Sequence, residues 1–272
     1  MLATLALTAV LTAAPAQNGE VKLINQRVTY GFRGPTRTSL DFLPGDALFV
    51  AFDIQGLQAN KAGEVVYRMG MEITDAGGTA IFKQKPAADL KAVNSLGGDQ
   101  VPAFAVAEVR TDTKPGKYTL TVTVHDDKGT ERAKLVKPFN VLKSDFGIVG
   151  VSLFYDQSGN VPASPIASVG QVVWVQYGVT GFQRDPKTKK PTFSVTMRVL
   201  DEKGQPVVAP RPGGVDKDTP GTDNMNLTAI PMMFVLAMNR PGKFTIELTA
   251  KDLLAKDKET KQTFDLVVNE LK

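Results

Sequence analysis

The chain's single histidine, His125, stands beside Asp126 and Asp127 at the end of an alternating run. An imidazole next to carboxylates has the makings of a general base or a metal ligand, and a solvated turn accounts for the same residues. Asp216, Asp218 and Asp223 share one polar stretch and offer the hard oxygen donors that calcium prefers. Their spacing matches no EF-hand loop and lacks its bidentate glutamate, so the choice is between a calcium site and a solvated loop. Calcium is the one cofactor these residues suggest; otherwise none is expected. Arg184, Lys187, Lys189 and Lys190 are candidate ligand-binding residues; the lysines could meet an anionic polymer such as a wall polysaccharide or nucleic acid, or simply form a solvated hairpin tip. No aromatic residues interleave with them, which leaves sugars and bases without a stacking platform. Met225, Met232, Met233 and Met238 could bind a soft metal or line an adaptable surface. Because Ile230–Val235 aligns with Val101–Val106, a buried strand is the better reading of that run. No nucleophile elbow, zincin helix or phosphate loop occurs, so no catalytic residues and no enzyme are expected.

The elements that would position these residues are strands. Apolar and polar residues alternate with period two, as over 118–124 and 193–199, the pattern of strands with one buried face. No segment sustains a 3.6-residue period with matching caps. In the first half the pattern predicts strands near 21–30, 46–55, 64–74, 79–84, 102–109, 116–125 and 131–142. Asp75 to Gly78, Asp126 to Gly129 and Asp201 to Gly204 read as hairpin loops. Pro102 and Pro231 point to strand starts or sheet edges, because proline cannot donate to a ladder.

The chain also repeats itself. Val50, Gly56 and Gln58 recur 125 residues later as Val175, Gly181 and Gln183, with Phe49 answered by Trp174 and Phe52 by Tyr177. Met71, Asp75 and Gly78 recur as Met197, Asp201 and Gly204 at a spacing of 126. At that spacing His125 corresponds to Lys251, which weakens a catalytic role for it. The reading is residues 18–143 as one domain and 144–272 as its copy, joined by a linker too short for much swing, with Phe146 packed at the junction. The copies differ most at 184–191 and 211–227, the loops where a shared scaffold would acquire individual purpose.

At 272 residues, two domains of this size each bury a sizeable core. The first charged residue is Glu20, and the apolar, alanine-rich stretch before it closes on Ala14-Pro15-Ala16, the pattern of a signal peptide over residues 1–17. The absence of cysteine removes the acylated residue of a lipoprotein, along with disulfides and thiolate metal sites. A net charge of +4, with acidic and basic residues interleaved, is no nucleic-acid footprint. These features predict an extracytoplasmic protein, periplasmic or secreted, with no membrane insertion after signal cleavage.

Lys114-Pro-Gly-Lys-Tyr118 and Arg240-Pro-Gly-Lys-Phe244, each followed by an alternating strand, resemble the start of strand F in immunoglobulin-like and fibronectin type III-like modules of bacterial envelope proteins. The resemblance implies an all-β chain of two tandem immunoglobulin-like antiparallel β-sandwich domains. It gives Tyr118 a corner-closing hydroxyl that Phe244 cannot supply, and makes Trp174 a candidate core tryptophan. Such modules adhere, space or bind. The expected function is therefore a non-catalytic binding, adhesion or spacer protein whose partner is a protein or glycan at the cell envelope, with no nucleic acid. The alternative is a loop-based binder of a small ligand, glycan or protease, serving as an inhibitor or transport accessory and marked by a cleft between the domains lined by Trp174 or Tyr177.

Overall fold

Every regular element among the described residues is a strand. The structure, a computed structural model, describes residues 20–86, 88–256 and 258–270; the leader read at 1–17 lies outside them. The first copy of the repeat contains β1 (Lys22–Thr29), β2 (Asp41–Phe42), β3 (Ala47–Gln55), β4 (Glu64–Asp75), β5 (Ala80–Gln84), β6 (Leu90–Val93), β7 (Gln100–Glu108), β8 (Gly116–His125) and β9 (Glu131–Val141). The second contains β10 (Gly147–Phe154), β11 (Ile166–Ser168), β12 (Val172–Thr180), β13 (Phe193–Leu200), β14 (Arg211–Val215), β15 (Ala229–Ala237), β16 (Gly242–Asp252) and β17 (Lys258–Asn269). All seven strands expected in the first half occur, together with the short β2 and β6.

Each copy builds one three-stranded and one larger sheet. The orders are β1-β3-β7 and β2-β9-β8-β4-β5 in the first, with β6 also on β4, then β10-β12-β15 and β11-β17-β16-β13-β14 in the second. The repeat extends to the register. Lys22 pairs with Gln55 where Gly147 pairs with Thr180, and the ladder slips between Ile24 and Arg27 as it does between Val149 and Ser152. The slipped positions are Asn25 and Gly150, both in the left-handed region at φ 52° and 61°. Asparagine and glycine tolerate that conformation best, so a bulge is written into both copies by residue type.

Two apolar clusters follow from the alternation. One gathers Phe42, Leu48, Phe52, Leu120, Val122 and Leu135 from both sheets of the first copy; the other gathers Ile148, Val175, Phe193, Met197, Ile246 and Leu248 from both sheets of the second. Burying side chains of this size contributes about 1.5–3 kcal/mol each. Tyr118 is buried and its hydroxyl donates to the Lys114 carbonyl at 2.7 Å, so it fills the core and closes the corner at once. Phe244 has no hydroxyl; the Arg240 guanidinium lies 5.0 Å from its ring centre instead. The expectation of a core tryptophan is corrected: Val173, Val175 and Tyr177 point inward, which leaves Trp174 on the opposite face, in one row with Phe154 and Val235.

Candidate functional site

The residues singled out for chemistry are mostly committed to holding turns. His125 Nδ1 lies 3.2 Å from the Gly129 carbonyl and Nε2 3.0 Å from the Thr123 hydroxyl, so both ring nitrogens are engaged within the turn. Asp126 accepts the amides of Lys128 and Thr130 within 3.0 Å, contacts that hold its carboxyl below the usual range, with the Arg132 guanidinium adding to them. Asp75 and Asp201 close the equivalent hairpins by the same pair of amide bonds.

Arg184 is the hub of the divergent loops. Its Nη1 donates to the carbonyls of Lys189 and Thr222 at 2.8 and 2.5 Å, its Nη2 to those of Asn224 and Leu227 at 3.1 and 3.0 Å, and its plane lies over Phe182. One guanidinium thus ties the 185–190 hairpin to the 216–228 loop. Lys190 adds a bond from its ammonium to the Lys217 carbonyl at 2.9 Å. Lys187 and Lys189 remain exposed, and neither ammonium makes an ion pair among the described residues. Asp216 accepts the Asp218 amide at 2.9 Å and the Thr219 hydroxyl at 3.0 Å, which together hold its carboxyl below the usual range. No group of three or more His, Cys, Asp or Glu side chains that could hold a metal ion occurs among the described residues, so Asp216, Asp218 and Asp223 form no such cluster. Met232 and Met233 point to opposite faces of β15, which separates their sulfurs, and Met238 is buried. The run is a strand as expected, but at a sheet edge and half exposed instead of wholly buried.

Two arrangements escaped the sequence. The first is the junction between the copies. Asp46 Oδ2 accepts Arg37 Nη1 at 2.7 Å with both side chains about 95 % buried, while Oδ1 accepts the amide of Gly150, the bulge residue of the second copy, at 3.0 Å. The Arg37 guanidinium also donates to the Asp41 carbonyl and lies 4.0 Å from the centre of the Phe42 ring. Tyr30, from the end of β1, belongs to the second apolar cluster, where its hydroxyl donates to Gln262 at 2.8 Å. Phe146 is buried there as expected. Gly181 turns at φ 64°, and a Cβ on it would lie 2.0 Å from the Asp145 carbonyl, so only glycine permits this approach to the linker. A readable signal existed: 125 residues after Arg37 and Asp46 stand Pro162 and Gln171, so both charges belong to the first copy alone.

The second arrangement is a groove in the first copy between β7 and the β4–β5 side of the larger sheet. One stretch of about 660 Å³ is lined by Tyr67, Met69, Leu90, Pro102 and Phe104; a second of about 400 Å³ by Ile73, Ile81, Phe82 and Val106. Ile81 and Phe82 are about half exposed, and Phe104 packs edge-on against Phe32 at 4.2 Å. The matching place in the second copy holds only about 140 Å³.

No family model matches the chain, and no curated protein matches it. Among solved structures, the C-terminal domain of the Streptococcus pyogenes antigen I/II-family protein AspA is 10 % identical at a TM-score of 0.30, over 92 % of this chain and 100 % of that one. Dimeric latent PorU from Porphyromonas gingivalis is 10 % identical at 0.36, over 97 % and 22 %. The Pseudomonas fluorescens alkylpurine DNA glycosylase AlkC is 16 % identical at 0.30, and the match spans 45 % of this chain and 30 % of that enzyme. With TM-scores this low, the architecture stands on the sheets and registers themselves.

Proposed function

We propose that the chain is a non-catalytic, extracytoplasmic protein of two tandem immunoglobulin-like β-sandwich domains, 18–143 and 144–272 behind a signal peptide. Its role is that of a rigid spacer or binding module of a bacterial cell envelope. The observation that carries the reading is the junction. A buried ion pair whose carboxylate also takes an amide of the other copy resists bending, because separation would leave a charge or a polar group unpaired away from water. The cleft between the copies is lined by Pro44, Ser144, Phe182, Arg184 and Thr228, not by Trp174 or Tyr177, and the Arg184 guanidinium is already taken up by four carbonyls, which supports the spacer over a ligand cleft.

The absence of cysteine permits clean labelling. With spin labels at Lys128→Cys and Lys203→Cys, the distance between hairpins of the two copies should show one narrow distribution that broadens in Asp46→Ala. A broad distribution in the parent would end the rigid-spacer reading. Tagged protein expressed with its leader should be recovered outside the cytoplasm, and retention inside would refute the location.

A further inference from the structure

The free edge of the first three-stranded sheet is a strand-shaped vacancy in hydrogen bonding. The Val109 amide donates to the Asp46 carbonyl in line with the β3–β7 register, which fixes the alternation along the ladder. By that alternation the amides of Phe104, Val106 and Glu108 and the carbonyls of Pro102, Phe104 and Val106 face away from β3. Pro102 therefore sits where its missing N–H costs no ladder bond. No backbone bond among the described residues reaches these outward groups.

In the second copy β15 is likewise an edge strand, but a partly covered one. Val235, the counterpart of Val106, faces outward on β15, and its carbonyl accepts Arg211 Nη1 at 2.8 Å. Strand β14 brings Gly213 so close to Phe234 that an added Cβ would lie 3.1 Å from the ring. In the first copy no strand or arginine among the described residues covers β7 in this way; β7 carries no charge before Glu108 and keeps Phe104 46 % exposed. Uncharged, uncovered edges are what soluble proteins otherwise avoid.

We propose that this groove binds a single extended peptide segment supplied by a partner protein, which adds to β7 as an antiparallel strand and buries alternate apolar side chains against Met69, Met71, Leu90 and Phe82. The proposal deepens the binding-module reading and rests on it. The size of the groove selects this occupant. Nine residues of β7 offer about 30 Å of edge, and sheets stack about 10 Å apart, room for one strand but not for the two-layered edge of another molecule of this chain. Charge orients the segment. Lys85 lines the end beside Pro102 and Phe104 and makes no salt bridge among the described residues; Glu108 lines the other end beside Arg110, whose guanidinium is taken up by Asp112 and leaves Glu108 the acid that faces the groove. An antiparallel segment with a base at its N-terminal end and an acid at its C-terminal end complements both.

The test uses the full chain and a fluorescent, terminally blocked heptapeptide, Lys-Val-Thr-Val-Thr-Val-Glu, read by anisotropy. Saturable binding is expected, at least three-fold weaker for the peptide with its end charges exchanged, a preference that Lys85→Glu should abolish and that Lys85→Glu combined with Glu108→Lys should reverse. Val106→Pro removes one outward amide and no ladder bond, and should weaken binding at least ten-fold with an unchanged melting curve. If that variant is unstable, Phe82→Glu, at an exposed position, should weaken binding comparably. No saturable binding, or equal affinity in both variants, overturns the proposal, as does a dimer of the parent chain that either variant abolishes. If only peptide binding fails while the label distance stays narrow, the groove is wrong and the rigid spacer stands.

Discussion

At the scale of single residues, Asp126, Arg184 and Asp216 hold turns and loops together, and a buried side chain does the opposite. The Tyr177 hydroxyl is buried with no hydrogen-bond partner among the described residues, and burial pushes its pKa well above 10. Tyr177→Phe should therefore leave stability unchanged or raise it by about 1 kcal/mol, as measured by denaturant titration, since it removes an unsatisfied group. The sign with pH follows. An unfolded tyrosine ionises near pH 10 while the folded one keeps its proton, so the parent should lose stability as pH rises past 10 and the variant should lose less. Arg184→Ala leaves four carbonyls without their donor and should cost about 1–3 kcal/mol, with faster proteolytic cutting within 216–228. Replacing Lys187 and Lys189 by serine should stay within about 0.5 kcal/mol. Melting curves with calcium and with chelator should coincide, because no three carboxylates converge among the described residues.

At the scale of elements, alternation made the strands legible, and it failed where there was too little chain to alternate. Strand β2 spans two residues, and β6 spans four in a stretch rich in lysine and alanine. Position 174 was misread because a tryptophan in a strand says nothing of which face it takes; its buried neighbours at 173 and 175 do. Pro102 and Pro231 pointed correctly to edges, because their chemistry is a property of one residue and its ladder. The groove was not legible, since it depends on which edge remains uncovered once β5 and β14 have found their places. Nor was the hub at Arg184, whose carbonyl partners from the other loop lie 38 to 43 residues away. The loops at 184–191 and 211–227, where the copies diverge most, are pinned to each other through Arg184. The more open surface lies in the copy whose loops looked plain.

At the scale of the whole molecule, the junction should set the stability of the pair. Asp46→Ala strands the Arg37 guanidinium in a buried site and should cost about 3–5 kcal/mol in a calorimetric melt, whereas exposed pairs such as Arg110 with Asp112 should count for little. The two copies should accordingly melt as one cooperative unit in the parent and as two in the variant. One feature of the sheets bears on how such a molecule meets load. The short strands β2 and β11 run parallel to β9 and β17, the strands that end each copy, pairing two residues in the first and three in the second. A pull applied to the two ends of the chain would slide these strands past each other, so their bonds must break together instead of one after another. In an optical trap the second copy should yield at the higher force, and a single ramp in which the first outlasts it would refute this account.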